Sequence, residues 1–532
     1  MAIKFNCGCE FHTNNDSKLH IDYDINNIKF DCPKTWEMIS EGNTKGVFQL
    51  ESRLGQSMAK KLKPENIEQL AALISIMRPG CLEAVRDGKT VSNHFIDKKN
   101  GRESIDYFNM SLEPILQKTY GEMVYQEQAM EIAKEIAGFD LQEADMLRKA
   151  IGKKKPEEMA KIKNKFIDGC NKLGKVNNNE AEQLFGWIEK SQRYSFNKSH
   201  AVSYAVNAFI SAHAKAHFPT IFFLSYLRLA KDKIDPQEEI LELITNAKSM
   251  DIDIFGPNLL LKNKDFKIQG KKIYFGLTNI KGVGQSVFDK LYNIISDLNL
   301  SNLSWTQLLF SVLLNINSVA AKAMIQSGCL DYLKIYRNKM LYEFNLVCEL
   351  TKKESENSIK IINANPKLEM VDVIRQLIST TKISKNRQQK VLSIVNQLSE
   401  PPYSLDDNPE WISDNERELL GAPITCTKSD SYDSSYANTD CKDIKNFPSN
   451  KQFFVIAEID SVNVIVTKKG KNPGQEMCFL QLSDSYGSVD CVVFPEDFSN
   501  NRELLEPGRV LMFSGQKSIK DNSAIVKKCF VV

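Results

Sequence analysis

The chain has 532 residues, 26% of them charged and 42% hydrophobic, and its 69 Lys and Arg against 67 Asp and Glu leave a formal charge of only +2. That length predicts three or four domains, each with its own core, and the charge balance excludes a polyanion-binding role spread over the whole surface, so any nucleic-acid contact must be local. No run approaches the roughly 18 consecutive apolar residues of a membrane span, the N-terminus lacks the apolar stretch of a secretory signal, and twelve scattered cysteines suit reduced thiols in the cytoplasm.

The first segment carries Cys7-Gly-Cys9 with His12, His20 and Cys32. No second Cys-x-x-Cys or His pair follows at regular spacing, so ordinary thiols in a small N-terminal β-element are expected rather than zinc. From about 35 to 235 the pattern is helical. Tyr125, Ala129, Ile132, Ala133 and Ile136 form one stripe of an amphipathic helix. Asp140 and Glu143 read as a capping box for the next helix, which is expected to turn Leu141, Ala144, Leu147 and Ile151 inward and to close at Gly152.

Around that helix end lie five cations, Arg148, Lys149, Lys153, Lys154 and Lys155. Cations complement a helix C-terminus, each by about 0.3–1 kcal/mol, and one or two would serve that purpose. Five predict a phosphate ligand. Asn197, Lys198, Ser199 and His200 in Tyr194-Ser-Phe-Asn-Lys-Ser-His200 add to the same inventory. The competing reading of His200 is a packed, hydrogen-bonded core histidine.

Near 240 the character changes. Phe266–Phe275 alternates around a Gly turn as a β-hairpin should, and Lys281-Gly282-Val283-Gly284 follows. A Gly-x-Gly between two apolar helical stretches can present backbone N–H groups to a DNA phosphate; a simple turn needs the same residues. Residues 341–400 predict polar helices, and 401–450, with Pro401-Pro402 and a Ser/Asp/Tyr-rich stretch, a linker. From 451 the period becomes two: Phe453–Ile459, Ser461–Thr467, Met477–Leu482, Ser488–Phe494 and Val510–Ser514 read as five short strands. Five strands in about 80 residues suit an OB-type barrel, which binds single strands or packs on another subunit.

These parts, in this order, resemble the C-terminal half of the α subunit of bacterial DNA polymerase III, a family C replicative polymerase. Asn43–Ser52, Arg78-Pro-Gly80, Tyr120–Gln128, Ala144–Glu158 and Phe196–His200 are similar to its fingers, Phe275–Gly284 to its helix-hairpin-helix region and 451–532 to its OB domain. The resemblance implies a multidomain chain, mainly α-helical fingers and helix-hairpin-helix region followed by an all-β OB barrel. Its segments would be an N-terminal extension and palm–fingers linker (1–34), fingers (35–238), a duplex-binding helix-hairpin-helix region (239–340), a helical segment and linker (341–450) and the OB-fold (451–532).

It further implies that Arg148, Lys149, Lys153 and Lys154 bind the phosphates of an incoming dNTP. Asn197, Lys198, Ser199 and His200 would contact nucleotide or primer-template, and Lys281, Gly282 and Gly284 would contact DNA. The family's palm, whose three aspartates hold two magnesium ions, has no counterpart in the aligned residues. Asp22 and Asp24 lie where the family has a linker and are not expected to bind metal. The expectation is one product of a split polymerase gene, phage-encoded or from a bacterial cell and nucleoid-associated. The palm and its magnesium would come from a partner chain, so this chain alone would be inactive. The face around 20–80 would then expose apolar surface, and a sliding clamp and other replisome proteins are further expected partners, although Gln307-Leu-Leu-Phe310 has neither the spacing nor the position of a clamp-binding motif. The competing reading is a non-catalytic DNA-binding accessory or adaptor built on the polymerase scaffold.

Overall fold

A computed structural model describes residues 2–4, 10–13, 21–22, 28–153, 156–191, 194–380, 384–449, 451–467, 473–518 and 524–532. The chain divides into two compact units, Met1–Phe222 and Phe223–Val532.

The first unit opens with an antiparallel sheet of β1 (Ala2–Lys4), β2 (Glu10–Thr13) and β3 (Ile21–Asp22). The remainder is helical: α1 (Pro33–Ser40), α2 (Arg53–Leu62), α3 (Ile67–Ile76), α4 (Pro79–Glu83), α5 (Val91–Lys99), α6 (Glu113–Leu116), α7 (Gln126–Ala137), α8 (Leu141–Lys153), α9 (Pro156–Leu173), α10 (Asn178–Ser191) and α11 (Lys198–His217). A two-strand hairpin, β4 (Val85–Arg86) and β5 (Lys89–Thr90), precedes α5.

Two packing centres organise these helices. Around α11 the stripe Ala201, Ala205, Ala208, Ala212 and Ala216 is buried, and its small side chains let α3 and α1 approach closely. Trp36 and Phe30 pack on Phe209 of α11 with tilted rings at separations of 4.7 and 5.4 Å. The second centre joins α7 to α10 through Ile132, Ile136, Leu147, Phe166, Phe185 and Ile188. Each such side chain contributes about 1.5–3 kcal/mol on burial.

The α7 stripe is buried as expected, and the Asp140–Glu143 capping box is present, each backbone N–H donating to the other's carboxylate at 3.2 and 2.8 Å. Two details of α8 differ. Leu141 is 71% exposed because it is the first helical residue, before the stripe of Ala144 and Leu147 turns inward. Gly152 does not cap the helix, which continues through it to Lys153. Beyond the entropy cost of ordering a flexible residue, a glycine stops a helix only where the backbone turns left-handed.

α12 (Pro219–Ala230) leads into the second unit. There α13 (Pro236–Ser249) and a small sheet of β6 (Ile254–Phe255), β7 (Lys267–Gln269) and β8 (Lys272–Tyr274) are followed by α14 (Gln285–Ile295), α15 (Trp305–Ser311), α16 (Ser318–Gln326), α17 (Arg337–Val347), α18 (Lys352–Ala364), α19 (Met370–Thr380), α20 (Lys385–Ser399) and α21 (Pro409–Leu420). The expected hairpin is the antiparallel β7–β8 pair, turning at Gly270 with φ of 65°.

Residues 401–450 are not the linker their composition suggests. Glu416 of α21 is buried and accepts from Arg337, Arg417 pairs with Glu458 at 2.8 Å, and Cys441 and Ile444 are fully buried. The polar residues are spent locally, as Asp430, Asp433 and Asp440 accept from backbone N–H groups and fix short 3₁₀ turns.

The closed barrel has the order β10-β11-β13-β12-β9, with β9 (Gln452–Val466), β10 (Glu476–Ser483), β11 (Ser488–Val493), β12 (Val510–Lys517) and β13 (Ala524–Val531). α22 (Pro495–Asn501) packs beside it. Five strands are present, but not the expected five. The first two segments form one strand, whose residues 452–458 pair with β12 and 458–466 with β10. The fifth place belongs to β13, which closes the barrel by pairing parallel with β11 and antiparallel with β12.

Candidate functional site

The first unit gathers its polar chemistry around the start of α11. Phe196 forms an isolated parallel bridge with Tyr125, its N–H donating to the Val124 carbonyl at 3.0 Å while its own carbonyl accepts from Gln126 at 3.0 Å. That bridge sets the N-terminus of α11 beside the N-terminus of α7. Asn197 is the N-cap of α11: its Oδ1 accepts from the His200 N–H at 2.9 Å and from the Ser199 hydroxyl at 2.7 Å. Glu127 of α7 holds the same turn from below, accepting from Asn197 Nδ2 at 2.8 Å and from the Lys198 N–H at 2.9 Å.

Asn197, Lys198, Ser199 and His200 are all exposed. The imidazole of His200 rests on Tyr204 at 4.1 Å and edge-on to Phe196 at 5.4 Å. A core histidine is therefore the wrong description: aromatic rings support the imidazole, and its polar edge is accessible. Lys198 Nζ lies 5.8 Å from the Tyr125 ring, and the Arg78 guanidinium sits 3.7 Å from the Phe196 centroid. Three cationic or polar side chains, Arg78, Lys198 and His200, thus stand over the buried ring of Tyr125 and the half-buried rings of Phe196 and Tyr204, and it is these side chains that face a base or a sugar-phosphate.

α8 carries the second part. It packs on α7 after the three-residue turn Gly138–Asp140. Arg148 donates through Nε and Nη2 to Asp145 at 3.0 and 2.8 Å, and Lys149 reaches the other oxygen of the same carboxylate at 2.7 Å. Both cations are substantially exposed. Their hydrogen bonds hold the Asp145 carboxyl below its ordinary range, Lys149 contributing most. One carboxylate facing two cations leaves a net positive patch. Lys153 ends α8 with its side chain outside the described residues, where Lys154 and Lys155 also lie.

In the second unit Gly282 has φ of 95°, a conformation that favours glycine, and Gly284 is the N-cap of α14 with no side-chain cap. The turn leaves an exposed helix start beside Lys281, whose Nζ is 3.4 Å from Glu418. The residues before it, Leu277–Asn279, form a single 3₁₀ turn rather than a second apolar helix. Leu308, Leu309 and Phe310 of α15 are fully buried, which removes Gln307–Phe310 as a surface motif. Cys7, Cys9, His20 and Asp24 lie outside the described residues; Asp22 is in β3 and His12 in β2.

Arg78, Glu127, Tyr125 and Tyr204 were not singled out by sequence as site residues. Arg78, Tyr125 and Glu127 lie within segments that carried the family resemblance, but their roles depend on a bridge across about 70 positions. Cys32, by contrast, meets two histidines, His213 and His217, that no sequence motif had connected to it.

Comparison with known proteins gives this geometry its context. Residues 10–174 match the model of the bacterial DNA polymerase III alpha subunit finger domain, and residues 461–526 match an OB-fold nucleic acid binding domain. The chain is 32% identical over 505 residues to a DNA polymerase III subunit alpha of Aquifex aeolicus, covering 93% of this chain and 38% of that protein. It is 29% identical over 527 residues to that of Escherichia coli K12, covering 95% and 41%. With the Thermus aquaticus protein it shares 38% identity over 270 residues, half of this chain and 21% of that one. The chain thus spans about two fifths of the length of the first relatives it matches. Over almost its whole length it matches the C-terminal part of bacterial DNA polymerase III alpha subunits, with a finger domain and an OB-fold.

Proposed function

We propose that this chain supplies the dNTP-binding fingers and the DNA-binding modules of a template-directed replicative DNA polymerase, with the catalytic palm on a partner chain. The observation that carries the reading is the exposed start of α11, where Asn197, Lys198, Ser199 and His200 stand over an aromatic floor next to Arg78.

In this reading Arg148 and Lys149 bind the triphosphate of the incoming dNTP, with Lys153 and Lys154 following them. Phosphoryl and nucleotidyl transfer depend on positioned phosphates and on neutralising the charge that develops on the leaving pyrophosphate. A cation about 4 Å from a phosphate oxygen gains roughly 4 kcal/mol at an effective dielectric near 20, before desolvation. The triphosphate takes over the two cations from Asp145, whose exposed carboxylate is free to turn to solvent. His200 and Lys198 then face the sugar or base, and the uncapped start of α14 with Lys281 takes a backbone phosphate of the duplex. The partner's palm aspartates would hold two magnesium ions, which would supply electrostatic stabilisation of the charge that develops in nucleotidyl transfer.

Primer extension with magnesium and four deoxynucleotides tests this, using the chain alone, the palm-bearing chain alone and the two together. Extension by the mixture only is the expected result. Extension by neither, with duplex binding intact, would favour a DNA-binding accessory, and extension by this chain alone would overturn the assignment of the palm to a partner.

A further inference from the structure

The end of α11 opposite its nucleotide-facing start holds a cluster that the polymerase reading does not use. Cys32, the residue preceding α1, and His213 and His217, one turn apart in α11, converge within the first unit. Their ligand atoms all lie within 4.8 Å of one another, and the three residues are 1%, 0% and 5% exposed. Cys32 Sγ is 3.3 Å from His217 Nε2, and the two imidazole centroids are 4.4 Å apart.

The geometry points to a structural zinc site made by the Cys32 thiolate and the imidazoles of His213 and His217. It joins the start of α1 to the last turns of α11, and it is independent of the functional reading above.

Three physical points support it. Around a tetrahedral zinc, bonds of about 2.3 Å to sulfur and about 2.0–2.1 Å to nitrogen separate the two donors by roughly 3.5 Å, close to the spacing already present. Histidines at i and i+4 lie on one helix face, and a thiolate with two imidazoles is a donor set that zinc favours.

The ammonium of Lys34 acts on both imidazoles and opposes a dication, which the thiolate offsets in part. Binding is a proton exchange: Cys32 S–H gives its proton to solvent, the sulfur lone pair forms the Zn–S bond, and the zinc sheds water for each protein donor. Three protein ligands leave the fourth position to water or another donor.

The test uses the full chain, stripped with chelator, reloaded with zinc chloride and desalted, with metal content read by mass spectrometry. A parallel sample takes cobalt(II), whose absorption reports the ligands. The expected result is about one equivalent retained per chain, with a thiolate-to-cobalt charge-transfer band that Cys32→Ser abolishes. His213→Gln and His217→Gln, which stay uncharged and have similar volume, should each lower zinc affinity at least tenfold while far-ultraviolet circular dichroism stays unchanged. Should Cys32→Ser fail to fold, the wild-type cobalt spectrum and the two glutamine variants still decide. Failure of the wild-type chain to retain zinc would overturn the proposal. So would retention unaffected by His213→Gln but lost in Cys7→Ser/Cys9→Ser, which would place the metal at the N-terminal cysteines.

Discussion

Arginine meets carboxylate in both units, under opposite conditions. In the first, Arg148 and Asp145 are about one-third exposed, and Lys149 shares the same carboxylate. In the second, Arg337 is 2% exposed and every guanidinium hydrogen is used: Nε and Nη2 on Asp331, Nη1 on Glu416 and the Gln326 carbonyl, and Nη2 also on Thr425. Gly328 passes so close to Arg337, with φ of 79°, that no side chain fits there. An exposed pair is worth little and exchanges readily with water or another anion. A buried one is locked, because either partner left alone pays a large desolvation cost. Ion-pair geometry is similar at the two places; burial decides that one holds the fold and the other is available to a ligand.

The comparison can be broken most severely at Arg337. Arg337→Met leaves Glu416 buried without its cation and should destabilise the second unit by about 3–5 kcal/mol, read from urea unfolding with a probe in that unit. A loss within about 1 kcal/mol would show that the network is not locked. Asn197→Ala comes next: removing the cap of α11 should cost about 1 kcal/mol in the first unit, and the reconstituted polymerase should lose incorporation activity by more than that stability loss explains.

Glu458 sharpens the contrast through pH. Burial pushes its carboxyl up to about 7, Arg417 pulling it down and Asp460 pushing it up. A folded value above the unfolded one means stability present in full below about 4.5 and lost as pH rises through about 7. Glu458→Gln should flatten that decline between pH 5 and 8 in denaturant midpoints; an equal slope in both proteins would remove the residue from the account. The smallest effect belongs to Asp145→Asn, which should leave the denaturation midpoint unchanged and lower the dNTP concentration needed for half-maximal incorporation. A higher requirement would mean that Asp145 positions Arg148 rather than competing for it.

Local pattern made much of this legible. The stripe Tyr125–Ile136, the Asp140–Glu143 box, the Gly270 hairpin and the Gly282 turn each follow from periodicity or turn chemistry within a dozen residues. The misreadings have local causes too. Leu141 precedes the buried stripe, and β9 continues through Asp460 because its two halves pair with different neighbours. In β13 the register shifts opposite Ser514–Gly515, so that Lys527 and Lys528 are both exposed and the expected alternation breaks.

What the sequence leaves hidden is long-range. Nothing in Tyr-Gln-Glu-Gln128 announces that Glu127 anchors Asn197 seventy positions on. Nor does a Ser- and Asp-rich stretch reveal that Glu416 and Cys441 are buried. His213 and His217 carried a visible i, i+4 spacing, but Cys32 joins them only through the packing of α1 on α11.

The central claim, that the exposed cations of α8 bind the incoming triphosphate, is tested most directly by single-turnover incorporation with the reconstituted polymerase carrying Arg148→Ala. The account predicts a fall of at least about a hundredfold with duplex affinity nearly unchanged. Incorporation at the normal rate would contradict it.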